Sequence, residues 1–137
     1  ISKARPRPTH ANAHGFTLRE INPSSGTLNC ASCSVATDRL LSGAGHQLAD
    51  LSGVTSSRAL ERLYGRSFVP SLSRTQLAEQ LATQGNRGIV FGSNGAGKVG
   101  HFFNGVNQNG TLRFLDGQSG TAANLDKYVE FWFLPTK

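Results

Sequence analysis

Two cysteines and one histidine are the side chains in this sequence best suited to covalent chemistry. Cys30 and Cys33 form a C-x-x-C pair, and His101 stands in the segment Gly-His-Phe-Phe. A cysteine in the first turn of a helix has a lowered pKa, because the positive end of the helix stabilises the thiolate. A thiolate nucleophile also needs a base nearby, and the base needs a group that orients it. One interpretation of the pair is therefore a thiol nucleophile at the start of a helix.

The C-x-x-C pair also permits three other interpretations. A structural zinc site needs four ligands, and His10 and His14 have a spacing that suits the missing two. A thioredoxin-like redox pair needs a preceding strand, whereas residues 22–29 contain a Pro and a Gly and indicate a loop. The third alternative is a buried pair of small side chains that packs under a sheet.

An acidic partner for His101 is predicted by the hairpin that follows it. Residues 107–110, Asn-Gln-Asn-Gly, are typical of a turn between two antiparallel strands. The midpoint between His101 and Asp116 falls inside that turn, so the two residues come opposite or diagonal to each other. A carboxylate there would accept a hydrogen bond from one imidazole nitrogen and leave the other for a thiol. Gln118 follows closely and is a candidate for holding a substrate amide.

Residues 92–98, Gly-Ser-Asn-Gly-Ala-Gly-Lys, fit the G-x-x-x-x-G-K pattern of a phosphate-binding loop. Such a loop opens a helix, whose first amides bind the phosphates. Here Val99 replaces the Ser or Thr that would bind magnesium, and the residues that follow have the composition of a strand. We therefore interpret this stretch as the turn of a hairpin.

The elements that position these residues come in the order helices, then strands. Helices are predicted at 29–43, from Ser56 or Ser57 onward, and from Ser71 or Ser73 to Gly85. Strands are predicted at 16–21, 87–92, 98–108, 111–116 and 127–135. This order predicts an α+β fold, in which amino-terminal helices pack on a carboxy-terminal antiparallel sheet of about four strands.

Composition and charge narrow the class of protein. A chain of 137 residues fits one domain, preceded by a basic, Pro- and Ser-rich arm at 1–26. It contains no apolar run of 18 residues, so we expect no membrane partner. The net charge of +6 favours acidic partners. One alternative function is a non-enzymatic nucleic-acid-binding module, with bases stacked on Phe102, Phe103 and Phe114, although alternation would turn about half of these rings into the core.

Three segments together resemble the papain-fold toxin family of bacterial polymorphic toxins, often described as glutamine-deamidase-like. They are residues 29–43, the Leu-Tyr-Gly-Arg at 63–66, and the run GHFFNGVNQNGTLRFLDGQSG at 100–120. The resemblance covers roughly residues 28 to 120. It implies a papain-like fold, in which a nucleophile helix packs on an antiparallel sheet that carries a His and then an Asp.

Carried over residue by residue, the resemblance implies Cys30 as the nucleophile, His101 as the base and Asp116 as the orienting acid. Asn29 directly before Cys30 matches some papain-like clans, whereas papain's own C-x-x-C pattern would make Cys33 the nucleophile. The position of papain's oxyanion glutamine is Ser24 or Thr27 here. The oxyanion donors would then be backbone amides at the helix start, or Asn29.

The resemblance further implies a toxin domain, residues 27–137, that hydrolyses amides without a cofactor. Its substrate would be a protein of the target cell, changed by glutamine deamidation or by peptide-bond cleavage. A cognate immunity protein is expected, and the basic surface predicts that it is acidic. Since the chain begins with Ile and contains no Met, we expect delivery as the carboxy-terminal part of a larger secreted bacterial polypeptide and action in the target-cell cytoplasm.

Overall fold

The computed structural model describes residues 30–43, 56–83, 85–95 and 100–137. Several sequence-based predictions lie outside these residues: the arm at 1–26, the strand at 16–21, the roles of Asn29, and a zinc site that uses His10 and His14. Three helices, α1 (Cys30–Leu41), α2 (Ser57–Tyr64) and α3 (Arg74–Gln80), lie within the described residues. None of these helices combines the length and apolar character that a membrane crossing requires.

Six strands form one antiparallel sheet in the order β1-β6-β2-β3-β4-β5. They are β1 (Val69–Leu72), β2 (Arg87–Ser93), β3 (His101–Gln108), β4 (Thr111–Asp116), β5 (Thr121–Ala122) and β6 (Glu130–Pro135). The predicted α+β fold, with helices before the sheet, is confirmed. The prediction of about four strands covered β2, β3, β4 and β6 and omitted the two short edge strands. β1 contains a proline and an irregular register, and β5 has two residues, so neither shows a strand pattern in the sequence.

Serine caps define where α2 and α3 begin. The Ser56 hydroxyl accepts a hydrogen bond from the Ala59 amide at 3.1 Å. Ser73 and Gln76 form a capping box at the start of α3. The prediction that α3 extends to Gly85 was wrong, because the chain leaves the helix after Gln80. The side-chain amide of Asn107 on β3 binds the carbonyls of Leu81 and Ala82 instead.

The sheet separates two layers of core. On one face, Cys33, Ala36 and Leu40 of α1 pack on Val106 and Leu115. On the other face, Leu77 and Leu81 pack with the buried side chains of Val90, Phe103 and Phe133. Because successive strand residues point to opposite faces, β3 contributes alternately to both layers. The helix that carries the two cysteines is therefore held directly against the strand that carries His101.

A buried aspartate fixes α1 to the sheet. The Asp38 side chain is 3% exposed and accepts hydrogen bonds from Tyr64 at 3.0 Å, Arg87 at 3.1 Å and Thr136 at 2.5 Å. Arg87 begins β2 and Thr136 follows β6, so this cluster joins α1 to two strands. One turn earlier in the helix, the side-chain amide of Asn104 donates a hydrogen bond to the Ser34 carbonyl at 3.0 Å.

β2 and β3 form a hairpin, with Gly92 paired to His101. The residue that follows the glycine-rich connection therefore opens a strand and not a helix. A phosphate-binding loop needs the amino terminus of a helix at this point. The interpretation of residues 92–98 as a hairpin connection is thus confirmed, although residues 96–99 themselves lie outside the described part of the chain.

Candidate active site

The start of α1 brings one of the two cysteines to the end of the sheet. Cys30 is the first residue of the helix and is partly exposed. Its sulfur is hydrogen-bonded to the His101 side chain and to the backbone amides of Phe102 and Ala31. Cys33 lies one turn later, is 1% exposed and packs in the core beneath β3 and β4. Of the two cysteines, therefore, Cys30 is the one that contacts the imidazole.

The β3–β4 hairpin brings an acid to the same histidine. Asn109 and Gly110 both have positive φ, 55° and 87°, which is the backbone of a tight type I′ turn. This turn places Asn104 opposite Leu115, so that Asp116 lies diagonally across from His101. The Nε2 atom of His101 is 2.9 Å from Oδ2 of Asp116. Since Nε2 is occupied by the carboxylate, Nδ1 is the ring nitrogen that faces the Cys30 sulfur.

The turn after β4 holds the second carboxylate oxygen. Oδ1 of Asp116 accepts hydrogen bonds from the backbone amides of Gln118 at 3.0 Å and Ser119 at 3.3 Å. Burial alone would raise the pKa of Asp116, but the hydrogen bond and charge of His101, together with these two amides, lower it below its ordinary value of 3.8. The acid is thus ionised and fixed in orientation at neutral pH.

The thiol and the imidazole stabilise each other's charged forms. Burial by itself raises the pKa of the Cys30 thiol, but the hydrogen bonds from His101 and Phe102 and the charge of His101 bring it below 9.0. Burial likewise lowers the pKa of His101, yet hydrogen bonds to Asp116 and Cys30 raise it to about 9. The two shifts favour a thiolate beside an imidazolium at neutral pH, which is the reactive form of a cysteine nucleophile.

Gly117 lets the turn that holds Asp116 approach α1 closely. A Cβ atom at this position would overlap the Thr37 hydroxyl oxygen and would lie 3.1 Å from the Cys33 carbonyl oxygen. The absence of a side chain therefore allows the turn after β4 and α1 to come into direct contact. Sequence reasoning did not assign this role to Gly117.

A polar cavity of about 390 Å³ opens beside the imidazole and the carboxylate. The other residues that line it are Asn94, Gly100, Gln118, Lys127 and Tyr128. Gln118, a candidate from the sequence, therefore lies beside His101 and Asp116. A larger cavity, about 570 Å³, lies between α3 and the β4–β5 edge and does not include any of these residues.

Tyr128 is the site residue that sequence reasoning missed most clearly. Its ring stacks on Phe103 with centroids 5.7 Å apart, and it lies over Gly92, where a Cβ atom would be 2.6 Å from the ring. Burial raises the pKa of Tyr128, and so do the negative charges of Asp116 and Cys30. The glycine at 92 was the available signal, because a glycine inside a strand often marks the close approach of another group.

Within the described ranges, no group of three or more His, Cys, Asp and Glu side chains is placed to hold a metal ion.

Two of the three aromatic rings that the nucleic-acid alternative would use for base stacking pack in or against the core. Phe103 is fully buried in the core, and Phe114 packs against the same cluster. Of the three rings considered for base stacking, Phe103 is therefore unavailable.

Comparison with known protein families finds a match over most of the chain. Residues 28–121 match the family described as papain fold toxin 1, glutamine deamidase. The matched region runs from just before α1 to the first residue of β5, and so contains Cys30, His101, Asp116 and Gln118. No curated protein and no solved structure matches the chain significantly.

Proposed function

The chain belongs to the papain fold toxin 1, glutamine deamidase family, and from that premise we propose that it deamidates glutamine side chains of a target-cell protein with Cys30, His101 and Asp116. The observation that carries the proposal is the continuous hydrogen-bonded chain from the Cys30 sulfur through the His101 ring to the Asp116 carboxylate. The proposed base contacts the proposed nucleophile on one side and the proposed orienting acid on the other, which is the arrangement that hydrolysis by a thiol requires.

The reaction proceeds through a thioester. The Cys30 thiolate attacks the side-chain amide carbon of the glutamine, and a carbon–sulfur bond forms as the carbonyl oxygen becomes an oxyanion. The oxyanion then collapses, and the carbon–nitrogen bond breaks as His101 gives its proton to the leaving nitrogen, which departs as ammonia. Water next attacks the thioester while His101 accepts its proton. The tetrahedral intermediate collapses and the carbon–sulfur bond breaks, so that the sulfur leaves as a thiolate beside the imidazolium. The glutamic acid product dissociates and loses its proton to solvent.

The oxyanion needs hydrogen-bond donors that are already in position. We assign this role to backbone amides at the start of α1, where the positive end of the helix adds to their effect. Asn29 remains the side-chain candidate from the sequence. Gln118, at the polar cavity beside the catalytic pair, is proposed to hold the substrate amide.

Asp116 acts through His101 and not on the substrate. By accepting from Nε2, it fixes the ring so that the Nδ1 proton points toward the sulfur and the leaving group. It also stabilises the positive imidazolium, which must persist until the amide nitrogen departs. Its own fixed orientation comes from the amides of Gln118 and Ser119.

The wider setting follows from the same proposal. Residues 27–137 would be the catalytic domain and residues 1–26 a basic arm. We propose that the chain acts in the target-cell cytoplasm after delivery as part of a larger secreted polypeptide. In the producing cell, an acidic immunity protein would neutralise it, since the net charge of +6 favours an acidic partner. Neither nucleic acid nor a membrane is proposed as a partner.

Intact-mass analysis of a treated target tests the proposed reaction. Deamidation of a glutamine raises the mass by about one dalton and leaves the chain whole, whereas attack of the same thiolate on a peptide bond gives two fragments. Release of ammonia from the proteins of a purified lysate fraction, with no change in the length of their chains, would support deamidation. Fragments that depend on Cys30 would show that the site cleaves peptide bonds instead.

A further inference from the structure

An aromatic hollow lies beside Cys30, across the sheet from the polar cavity. Its volume is about 200 Å³, and it is lined by Ser57, Phe68, Phe91, Phe102 and Trp132. His101 and Phe102 are consecutive in β3, so their side chains point to opposite faces of the sheet. The end of the sheet thus carries a polar cavity on one face and an aromatic hollow on the other.

Strand pairing determines how the aromatic rings that line the hollow are arranged. Phe91 on β2 is paired with Phe102 on β3 and with Trp132 on β6, so three rings lie side by side across three strands. Phe91 and Phe102 are 4.9 Å apart between ring centroids, and Phe68 closes the group at 6.2 Å from Phe102. Each of these rings is therefore in contact with at least one other aromatic ring of the hollow.

The hollow is open to solvent although its walls are apolar. Trp132 is 38% exposed, and Phe91 and Phe102 are both partly exposed. The indole nitrogen of Trp132 donates to Glu130 at 3.3 Å, which leaves the face of the ring for apolar contact. None of the five lining residues carries a charge. Such an exposed aromatic surface favours the binding of an apolar group and disfavours the binding of a charged one.

The hollow and the surroundings of Cys30 share one residue, Phe102. The backbone amide of Phe102 is hydrogen-bonded to the Cys30 sulfur, while the side chain of the same residue lines the hollow. Ala31, the residue after the nucleophile, belongs to the core cluster against which Phe91 and Phe102 pack. A group bound in the hollow would therefore lie next to a substrate that is attacked by the thiolate.

We propose that this hollow is a specificity subsite, which binds one apolar side chain of the substrate protein next to the glutamine that is deamidated. The proposal rests on the function proposed above. A space of about 200 Å³ accommodates a single leucine, methionine or phenylalanine side chain, but not a folded segment. Burial of one such side chain corresponds to a gain of roughly 10- to 100-fold in kcat/KM.

Acetylated pentapeptides with one central glutamine test the subsite. The residues flanking the glutamine are varied among Leu, Gly and Asp, on each side in turn, and ammonia release is measured. The wild-type chain should prefer Leu over Gly by about tenfold or more in kcat/KM at one of the two positions, and Asp should be the poorest. Trp132→Ala should lose most of this preference, because kcat/KM for the Leu peptide falls toward that for the Gly peptide.

Leu63→Ala is the matched control. Leu63 is an exposed apolar residue of α2, at 43%, that does not line the hollow. This variant should keep the preference for Leu. The subsite proposal is overturned if wild type deamidates the Leu and Gly peptides equally well at both positions, or if Trp132→Ala distinguishes them as well as wild type does.

The fluorescence of Trp132 separates failure of the subsite from failure of the proposed reaction. Trp132 is the single tryptophan of the chain, so its emission reports on the hollow alone. The Cys30→Ala variant is titrated with each peptide. If its emission changes with the Leu peptide but not with the Gly peptide, the subsite is supported, even where wild type releases no ammonia. If all peptides are deamidated equally and emission is unchanged up to roughly millimolar peptide, the reaction stands and the subsite falls. If there is neither turnover nor a change of emission, both proposals fall.

Discussion

The imidazole Nε2 of His101 and the carboxylate Oδ2 of Asp116 lie 2.9 Å apart, diagonally across one β-hairpin. This contact determines which ring nitrogen is available to the thiol, because a histidine held at Nε2 presents Nδ1. It also raises the pKa of His101 to about 9, against the opposing effect of burial. The geometry of the proposed catalytic site therefore depends on the register of a hairpin whose turn is only two residues long.

Asp116→Asn tests that dependence. The amide still fits the space, but it can present an N–H to Nε2, which favours the wrong tautomer and removes the negative charge that stabilises the imidazolium. We expect glutamine deamidation to fall by about 10²- to 10⁴-fold in kcat, with a much smaller change in KM. Steady-state kinetics with a glutamine peptide measure both. Wild-type turnover by Asp116→Asn would show that the carboxylate has no part in the reaction.

Three alanine variants identify the nucleophile in the cell. Expressed in bacterial cytoplasm, the wild-type chain should arrest growth, and both Cys30→Ala and His101→Ala should abolish the arrest, with activity reduced about a thousand-fold or more. Cys33→Ala should remain toxic, because its thiol is buried in the core and not directed at the imidazole. Equal expression of all four chains is verified by immunoblot. Toxicity that survives Cys30→Ala but not Cys33→Ala would reverse the assignment.

The pH dependence of alkylation measures the thiolate directly. In the Cys33→Ala background, the midpoint of the iodoacetamide profile of Cys30 should lie below pH 9.0, because His101 lowers the pKa of the thiol. His101→Ala removes the hydrogen bond and the charge, so the midpoint of the profile should move to higher pH. Deamidation by wild type should fall above pH about 9, where the imidazolium loses the proton that the leaving ammonia needs. Identical alkylation profiles with and without His101 would rule out the ion pair.

Asp38 is expected to matter for stability and not for chemistry. Asp38→Ala removes the carboxylate that accepts hydrogen bonds from Tyr64 and Thr136. It also removes the partner of the partly buried Arg87 guanidinium. We expect a loss of about 3 kcal/mol in the free energy of unfolding, measured by urea denaturation. Asp126→Ala is the matched control, since Asp126 pairs with Arg74 at the surface, where the two side chains are 79% and 61% exposed. That change should cost less than about 1 kcal/mol. Similar losses in the two variants would contradict a buried anchor.

The sequence predicted those parts of the site that depend on local structure. The Asn-Gly turn at 109–110 fixes the β3–β4 register by itself, and so the proximity of His101 and Asp116 followed from spacing alone. The choice between Cys30 and Cys33 did not follow. It depends on the rotation of α1 against the sheet, which is set by contacts such as that of Asp38 with Thr136, 98 positions away.

The parts of the fold that were not predicted have similar causes. α3 ends before Gly85 because Asn107, from a strand later in the chain, binds the carbonyls at its end. The aromatic hollow needs Phe91 and Trp132 to be neighbours, and this follows from the pairing of β2 with β6. Neither relationship leaves a periodic or local signal in the sequence, because each depends on contact between segments that are far apart in the chain.

Gly117→Ala tests whether the proposed site depends on direct contact between α1 and the turn after β4. The added Cβ would overlap the Thr37 hydroxyl and crowd the Cys33 carbonyl, so the turn that orients Asp116 must move away from α1. We expect kcat to fall by roughly 10- to 100-fold, since small displacements of an orienting group are costly. The melting temperature should fall as well.

Thr37→Ala removes the atom nearest to the added Cβ, so the double variant Gly117→Ala, Thr37→Ala should recover part of both losses. Because Thr37 donates to the Cys33 carbonyl at 2.8 Å, Thr37→Ala alone must be measured as the reference. A double variant that is no better than Gly117→Ala, or a single Gly117→Ala variant with wild-type kcat, would show that the contact does not position the acid.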